Sequence, residues 1–280
     1  MLNPTLSSRS APESISGKKR YQAEACVAKH VGDRTEQQDR AAVFAHPTRK
    51  GTLMAVLADG MGGHSGGAMA AEQVILKARQ NFEAFAPVSE SAPDLLRSIV
   101  DEAHIVIKLT RFTSEQDPHS TAVVFMMQPD RADWAHCGDS RFYHFRNGEL
   151  VTRSVDHSLV EELVRKGRLD AEGALRHPNR NVLLSCLGSE REPRVDVGHV
   201  APLVGGDAFL LCSDGLWAYI TEEETGRILA THSPRDAASA LIEMARQRAR
   251  GGGDNISLAI VKLVEVTPKP PEGAFPKLGV

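Results

Sequence analysis

Nine short apolar runs limit what this chain can fold into: Gln22–Lys29, Ala41–Ala45, Thr52–Ala58, Ser120–Gln128, Asp133–Cys137, Phe142–Arg146, Arg194–Val200, Ala208–Cys212 and Ile256–Val266. They are rich in Val, Ile, Leu, Phe and Ala, and turn residues bound most of them, the mark of strands. Helical periodicity appears in Gly67–Phe85, Pro93–Phe112, Thr221–Thr231 and Pro234–Arg250. The first carries Ala71, Val74, Ile75 and Ala78 on one face, and the second Leu95, Leu96, Ile99, Ala103 and Val106. Thr221 with Glu224 three residues on is a capping box, and Gly251 stops the last helix. Strands and helices do not alternate, which disfavours a doubly wound parallel sheet. An α+β class fits: a central antiparallel β-sandwich flanked by helices, in four αββα layers. Asn147-Gly148 predicts a tight hairpin between FYHFR and ELVTRS.

The 280 residues suffice for a substantial core. Residues 1–20, rich in Ser and Pro, read as a flexible leader, and residues 268–280 as an irregular tail around a folded unit at 21–267. Residues 156–192, with a short helix over Ser158–Lys166 and few strand signals, read as a surface insertion. A net charge of -3 gives no reason to expect nucleic acid or an acidic membrane as partner. Cys26, Cys137, Cys186 and Cys212 form no CxxC pair and read as reduced thiols, as in a cytoplasmic protein. No apolar stretch is long enough to span a bilayer.

Three aspartates share one setting. Asp59 follows TLMAVLA and precedes Gly60; Asp214 follows AFLLCS and precedes Gly215; Asp254 follows GGG and precedes ISLAIV. Any one of them could be an ordinary Asp-Gly turn. Together, at the ends of strands that can converge, they would form a carboxylate cluster whose repulsion a hard divalent cation such as Mg²⁺ or Mn²⁺ relieves. Asp139, in HCGDSRFYHF, is a fourth candidate acid. Arg34, five residues before Asp39, offers a fork suited to phosphate oxygens. GHSGG at residues 63–67 matches a serine-hydrolase elbow, but Ser65 stands too far past the strand end to serve as one.

GDRTEQQD, LADGMGGHSGG, GDSRFY, SDGLW and GGDNIS occur in this order and resemble the metal-dependent protein phosphatase 2C family, over roughly residues 25–262. DHSLVEELVRKG followed by HPNRN is similar to its bacterial serine/threonine phosphatases. The resemblance implies hydrolysis of phosphoserine and phosphothreonine by direct attack of a hydroxide that bridges two Mn²⁺ or Mg²⁺ ions. By the same likeness Asp59 would bridge the ions and the Gly60 carbonyl would ligate one. Asp214 and Asp254 would complete the other, Asp39 would hold metal-bound water or a metal, and Asp139 a weaker third ion. Arg34 would bind the substrate phosphate, and 156–192 would be the flap beside the site. Phosphoprotein substrates, a cognate serine/threonine kinase, a monomeric state and a cytoplasmic location complete the expectation. The chain departs from the pattern at Gln37-Gln38, where an acidic residue often stands, at Met61 in place of a histidine, and at Ala218 in place of an acid. Those departures leave a phosphoprotein-binding pseudophosphatase as the alternative.

Overall fold

The computed structural model describes residues 21–87, 90–110 and 116–266, so the expected leader at 1–20 and tail at 268–280 lie outside the described residues. The first half runs β1 (Tyr21–His30), β2 (Arg40–Ala45), β3 (Leu53–Ala58), a short β4 (Gly60–Met61), α1 (His64–Ala84), α2 (Ala92–Thr110) and a short β5 (His119–Ser120). Next come β6 (Ala122–Met127), β7 (Ala132–Cys137), β8 (Arg141–Arg146), β9 (Glu149–Arg153), α3 (Leu159–Arg165) and α4 (Ala171–Arg176). The chain continues through β10 (Asp196–Val200), β11 (Asp207–Cys212), α5 (Asp214–Trp217), α6 (Glu222–Thr231), α7 (Pro234–Ala249) and β12 (Ile256–Glu265).

Two five-stranded sheets form, in the orders β1-β12-β11-β8-β9 and β10-β7-β6-β3-β2, with every pairing antiparallel. The apolar runs are continuous because both faces of each sheet are covered. In β6, Val123, Phe125 and Met127 point between the sheets, where they meet Phe142, Phe209, Leu211 and Val261. Ala122, Val124 and Met126 of the same strand face α1 and α2. The other sheet's outer face, through Phe145, Leu210 and Ile260, packs on Leu229 of α6 and Leu241 of α7. This is the expected αββα order, with three apolar layers of core.

Local signals hold where local forces decide. Thr221 and Glu224 form the capping box of α6. Asn147 and Gly148 both take positive φ, at 50° and 90°, giving the two-residue turn between β8 and β9 whose twist matches the strands. The four cysteines are free thiols.

Several boundaries differ from expectation. Helix α1 starts at His64 instead of Gly67, because Gly66 and Gly67 are helical in spite of their loop-like sequence. A Cβ on Gly67 would stand 2.6 Å from the Gly60 oxygen, so the helix lies close on β4 only without one. The apolar stripe of α2 runs through Ile99, Ala103 and Ile107, leaving Val106 only partly covered; Phe112 lies outside the described residues. Helix α7 ends on Arg250, which itself takes the left-handed conformation ahead of Gly251. Strand β10 begins at Asp196, two residues later than expected. The segment 156–192 holds α3, capped by Ser158, and α4, which periodicity did not indicate. It is tied down through Leu187, which bridges to Ser120, and through Leu184, whose N–H donates to the His157 carbonyl at 2.8 Å. No helix among the described residues is long and apolar enough to cross a membrane.

Candidate metal centre

The register of the sheets brings the aspartates to one end of the sandwich. Arg40 pairs with Ala58, so Asp39 and Asp59 stand one residue beyond the last paired positions of adjacent strands. Asp214 follows β11 and Asp254 precedes β12, its antiparallel neighbour. Ser213 helps join the two sheets here: its hydroxyl donates to Asp39 Oδ2 at 2.7 Å and accepts the Ser257 N–H at 3.0 Å.

The backbone around Asp59 is fixed on both sides. Its N–H donates to Thr121 Oγ1 at 2.9 Å, and its carbonyl accepts the Thr121 N–H at 2.8 Å and the Ser120 hydroxyl at 3.1 Å. Thr121 Oγ1 in turn meets Ser140 Oγ at 2.8 Å, beside Asp139. Asn255 stitches the opposite rim: its Nδ2 donates to the carbonyls of Val31 and Glu36, and its Oδ1 accepts the Gln38 N–H at 2.7 Å. Thr121, Ser213 and Asn255 were not picked out from sequence. Ser213 and Asn255 lie inside quoted motifs, whereas Thr121 carries no sequence signal.

The two Asp-Gly pairs turn out not to be left-handed turns. Gly60 and Gly215 are needed for close approach: a Cβ on Gly60 would lie 2.0 Å from the Gly67 oxygen, and one on Gly215 2.1 Å from the Asn255 oxygen. Asp214 instead opens the single-turn helix α5.

Burial and mutual charge both act on these carboxylates. Burial pushes Asp39 up to about 6, and the charge of Asp254 adds to it against the hydrogen bond from Ser213. Asp59 is held well above the usual carboxylate range by burial and by the charges of Asp39, Asp214, Asp139 and Asp254. Asp214 is raised by burial, then by Asp139, Asp254 and Asp39. Asp139 is pushed up to about 7 by burial and by Asp156. These acids therefore share one field and cannot all be ionised without a compensating cation. The donors are all oxygens, the set that Mg²⁺ and Mn²⁺ prefer.

Arg34 reaches this cluster from the 31–38 loop, and its Nη2 lies 2.6 Å from Asp254 Oδ2. That pairing was not foreseen from sequence. The loop is held by a reciprocal contact, Gly253 N–H to Asp33 Oδ2 at 2.8 Å and Asp33 N–H to the Gly253 carbonyl at 3.1 Å. A cleft of about 280 Å³ opens between Arg34, Asp214, Asp254 and Trp217 on one side and Leu175 and Arg180 of the 156–192 segment on the other. Next to it, Arg141 forks onto Asp156 at 2.9 and 2.8 Å and stacks 3.7 Å over the Trp217 ring, whose Nε1 donates to the Asp139 carbonyl at 3.0 Å. No sequence motif signals this Arg141–Trp217 support. The side chain of His64 lies outside what the structure describes.

Comparison with known proteins agrees with this geometry. Residues 27–248 match the family model described as protein phosphatase 2C. The chain is 32% identical over 234 residues to the serine/threonine phosphatase stp of Listeria monocytogenes, covering 82% of this chain and 91% of that one. The structure of the S. agalactiae serine/threonine phosphatase superposes with a TM-score of 0.78 at 30% identity, over 87% of this chain and 100% of that one. The catalytic domain of the serine/threonine protein phosphatase PstP, in complex with two manganese ions, superposes with a TM-score of 0.74 at 27% identity, over 88% of this chain and all of that one.

Proposed function

The chain belongs to the protein phosphatase 2C family, and from that premise we infer that it removes phosphate from phosphoserine and phosphothreonine in proteins, using two divalent ions of Mn²⁺ or Mg²⁺ type. The observation that carries this reading is the convergence of Asp39, Asp59, Asp139, Asp214 and Asp254 at one end of the sandwich, where burial first and neighbouring acidic charge second raise Asp39, Asp59, Asp139 and Asp214. Bound divalent ions would polarise phosphoryl oxygens and bring the pKa of water toward neutrality.

Asp59 is assigned the bridging position because it feels the other four acids. Asp214, Asp254 and the Gly60 carbonyl would complete the ligand set, Asp39, held by its Ser213 contact, would hold metal-bound water or a metal, and Asp139 would offer a weaker third position. With Asp254 neutralised by a cation, the exposed Arg34 guanidinium would be released from that pairing to fork onto the substrate phosphate. The segment 156–192 forms the cleft wall facing the peptide. Gln38 and Ala218 bring no charge to the cluster and weaken the ions beside them. Phosphoprotein substrates imply an opposing serine/threonine kinase. A monomer acting in the cytoplasm fits the free thiols.

A phosphopeptide assay with Mn²⁺ and with excess chelator tests the reading. Turnover should require the ion, and Asp214→Ala should lower it by at least about 100-fold, as expected for a dismantled metal site. Chelator-resistant turnover, or full activity in that variant, would sink it.

A further inference from the structure

A second group of ligating side chains lies away from the aspartates. His136 on β7, His157 in the segment after β9 and Asp196 on β10 place one ligand atom each within 4.8 Å of one another. His136 and Asp196 are directly paired across β7 and β10, so their side chains leave the same face of the sheet. His157 is pinned beside them by its N–H to the Gly138 carbonyl, 2.8 Å, and by its carbonyl, which accepts the Leu184 N–H at 2.8 Å. The two imidazole rings stand 4.4 Å apart.

Two features of this group point to a cation. First, His136 is completely buried and its Nε2 lies 2.9 Å from the Val155 carbonyl, which can only accept. Nε2 therefore carries the proton, and Nδ1 is a bare, buried lone pair with no hydrogen-bond partner. An imidazole fixed by a backbone carbonyl on its far nitrogen is the arrangement found around metal-ligating histidines. Second, His157 Nε2 stands 3.4 Å from Asp196 Oδ2 and makes no good hydrogen bond. That separation is long for a hydrogen bond, yet it equals the ligand-to-ligand edge of a tetrahedral zinc site, roughly 3.3–3.4 Å for bonds of about 2.0–2.1 Å. The Asp196 carboxylate is oriented from behind by Arg194, at 3.0 and 2.7 Å.

We propose that His136 Nδ1, His157 Nε2 and an Asp196 oxygen form a binding site for one divalent transition ion of zinc type, separate from the aspartate centre. The donor chemistry divides the two sites: oxygens alone favour Mg²⁺ and Mn²⁺, whereas two imidazoles with one carboxylate favour zinc. Burial keeps both rings in the neutral form that a metal needs, with His136 lowered to about 4 and His157 also lowered. Binding moves the His157 proton from Nε2 to Nδ1 and gives up the long, 3.3 Å contact from the Gly138 N–H. His157 lies at the entry to the 156–192 segment and Asp196 just after its exit. The ion would thus clamp both roots of that segment to β7. The site does not depend on the phosphatase reading.

The experiment uses the full chain stripped of metal and then held in excess Mg²⁺, which occupies the oxygen centre. Micromolar Zn²⁺ should bind at one equivalent, and Co²⁺ in its place should give the intense d–d absorption of a four-coordinate, nitrogen-ligated ion. Asp196→Asn, a near-isosteric change at a partly exposed position, should weaken Zn²⁺ binding at least tenfold with the circular dichroism unchanged. His136→Gln should do the same. If either variant fails to fold, X-ray absorption of the wild-type cobalt form decides, and it should count two imidazoles. Absence of Zn²⁺ uptake under excess Mg²⁺, an oxygen-only cobalt spectrum, or unchanged Zn²⁺ affinity in folded Asp196→Asn would each overturn the site.

Discussion

Replacing Asp39 by Asn should stabilise the metal-free protein while weakening its response to metal. Asp39 is 1% exposed, and its carboxyl is raised from 3.8 to about 6 chiefly by burial. Because the folded form holds this proton more tightly than the unfolded chain does, stability falls as pH rises from about 4 to about 6 and stays low above that. A shift of roughly two units corresponds to about 3 kcal/mol. The amide carries no charge to bury, and its oxygen can still accept the 2.7 Å hydrogen bond from Ser213. In excess EDTA at pH 7.5 the variant should melt about 6–12 °C above wild type, the range expected of about 3 kcal/mol in a domain of this size. At pH 4 the two should melt together. Added Mn²⁺ should then raise the wild-type midpoint more than that of the variant, since only the wild type recovers its ionised ligand. Melting followed by fluorescence of Trp134 and Trp217 reads all three comparisons. A variant less stable than wild type at pH 7.5 without metal, or a gap that does not depend on pH, would refute the account of Asp39 as a buried, cation-seeking acid.

Gly215→Ala places a Cβ 2.1 Å from the Asn255 oxygen, so Mn²⁺ affinity measured by calorimetry should fall at least tenfold as Asp214 and Asp254 are pushed apart. Arg34→Ala should raise KM for a phosphopeptide. The same change removes the competitor on Asp254, and since an exposed ion pair is worth at most about 1 kcal/mol, metal binding should tighten by no more than about fivefold. Phe125→Ala removes a fully buried ring that lies 4.7 Å from Phe209 and 5.7 Å from Phe142, and should cost about 3–5 kcal/mol in urea denaturation without changing the metal requirement.

The layered fold was legible in the chain because its determinants are local or periodic. Runs such as Leu53–Ala58 and Ala122–Met127 are apolar at successive positions, which suits a strand covered on both faces. The capping box at Thr221 and the Asn147-Gly148 turn are likewise decided within a few residues. The aspartates could be proposed as a set because each one closes or opens such a strand. What the sequence could not supply depends on register and packing between distant segments. The Asp-Gly pairs read as turns, yet Gly60 and Gly215 are there because other backbones pass within contact of them. Arg34 pairs with Asp254 across 220 positions, Ser213 holds Asp39 across 174, and Trp217 meets Asp139 across 78. Above all, His136 and Asp196 share no motif. They face one another only because β10 closes the sheet beside β7 in that register, with His157 brought between them by the segment that follows β9.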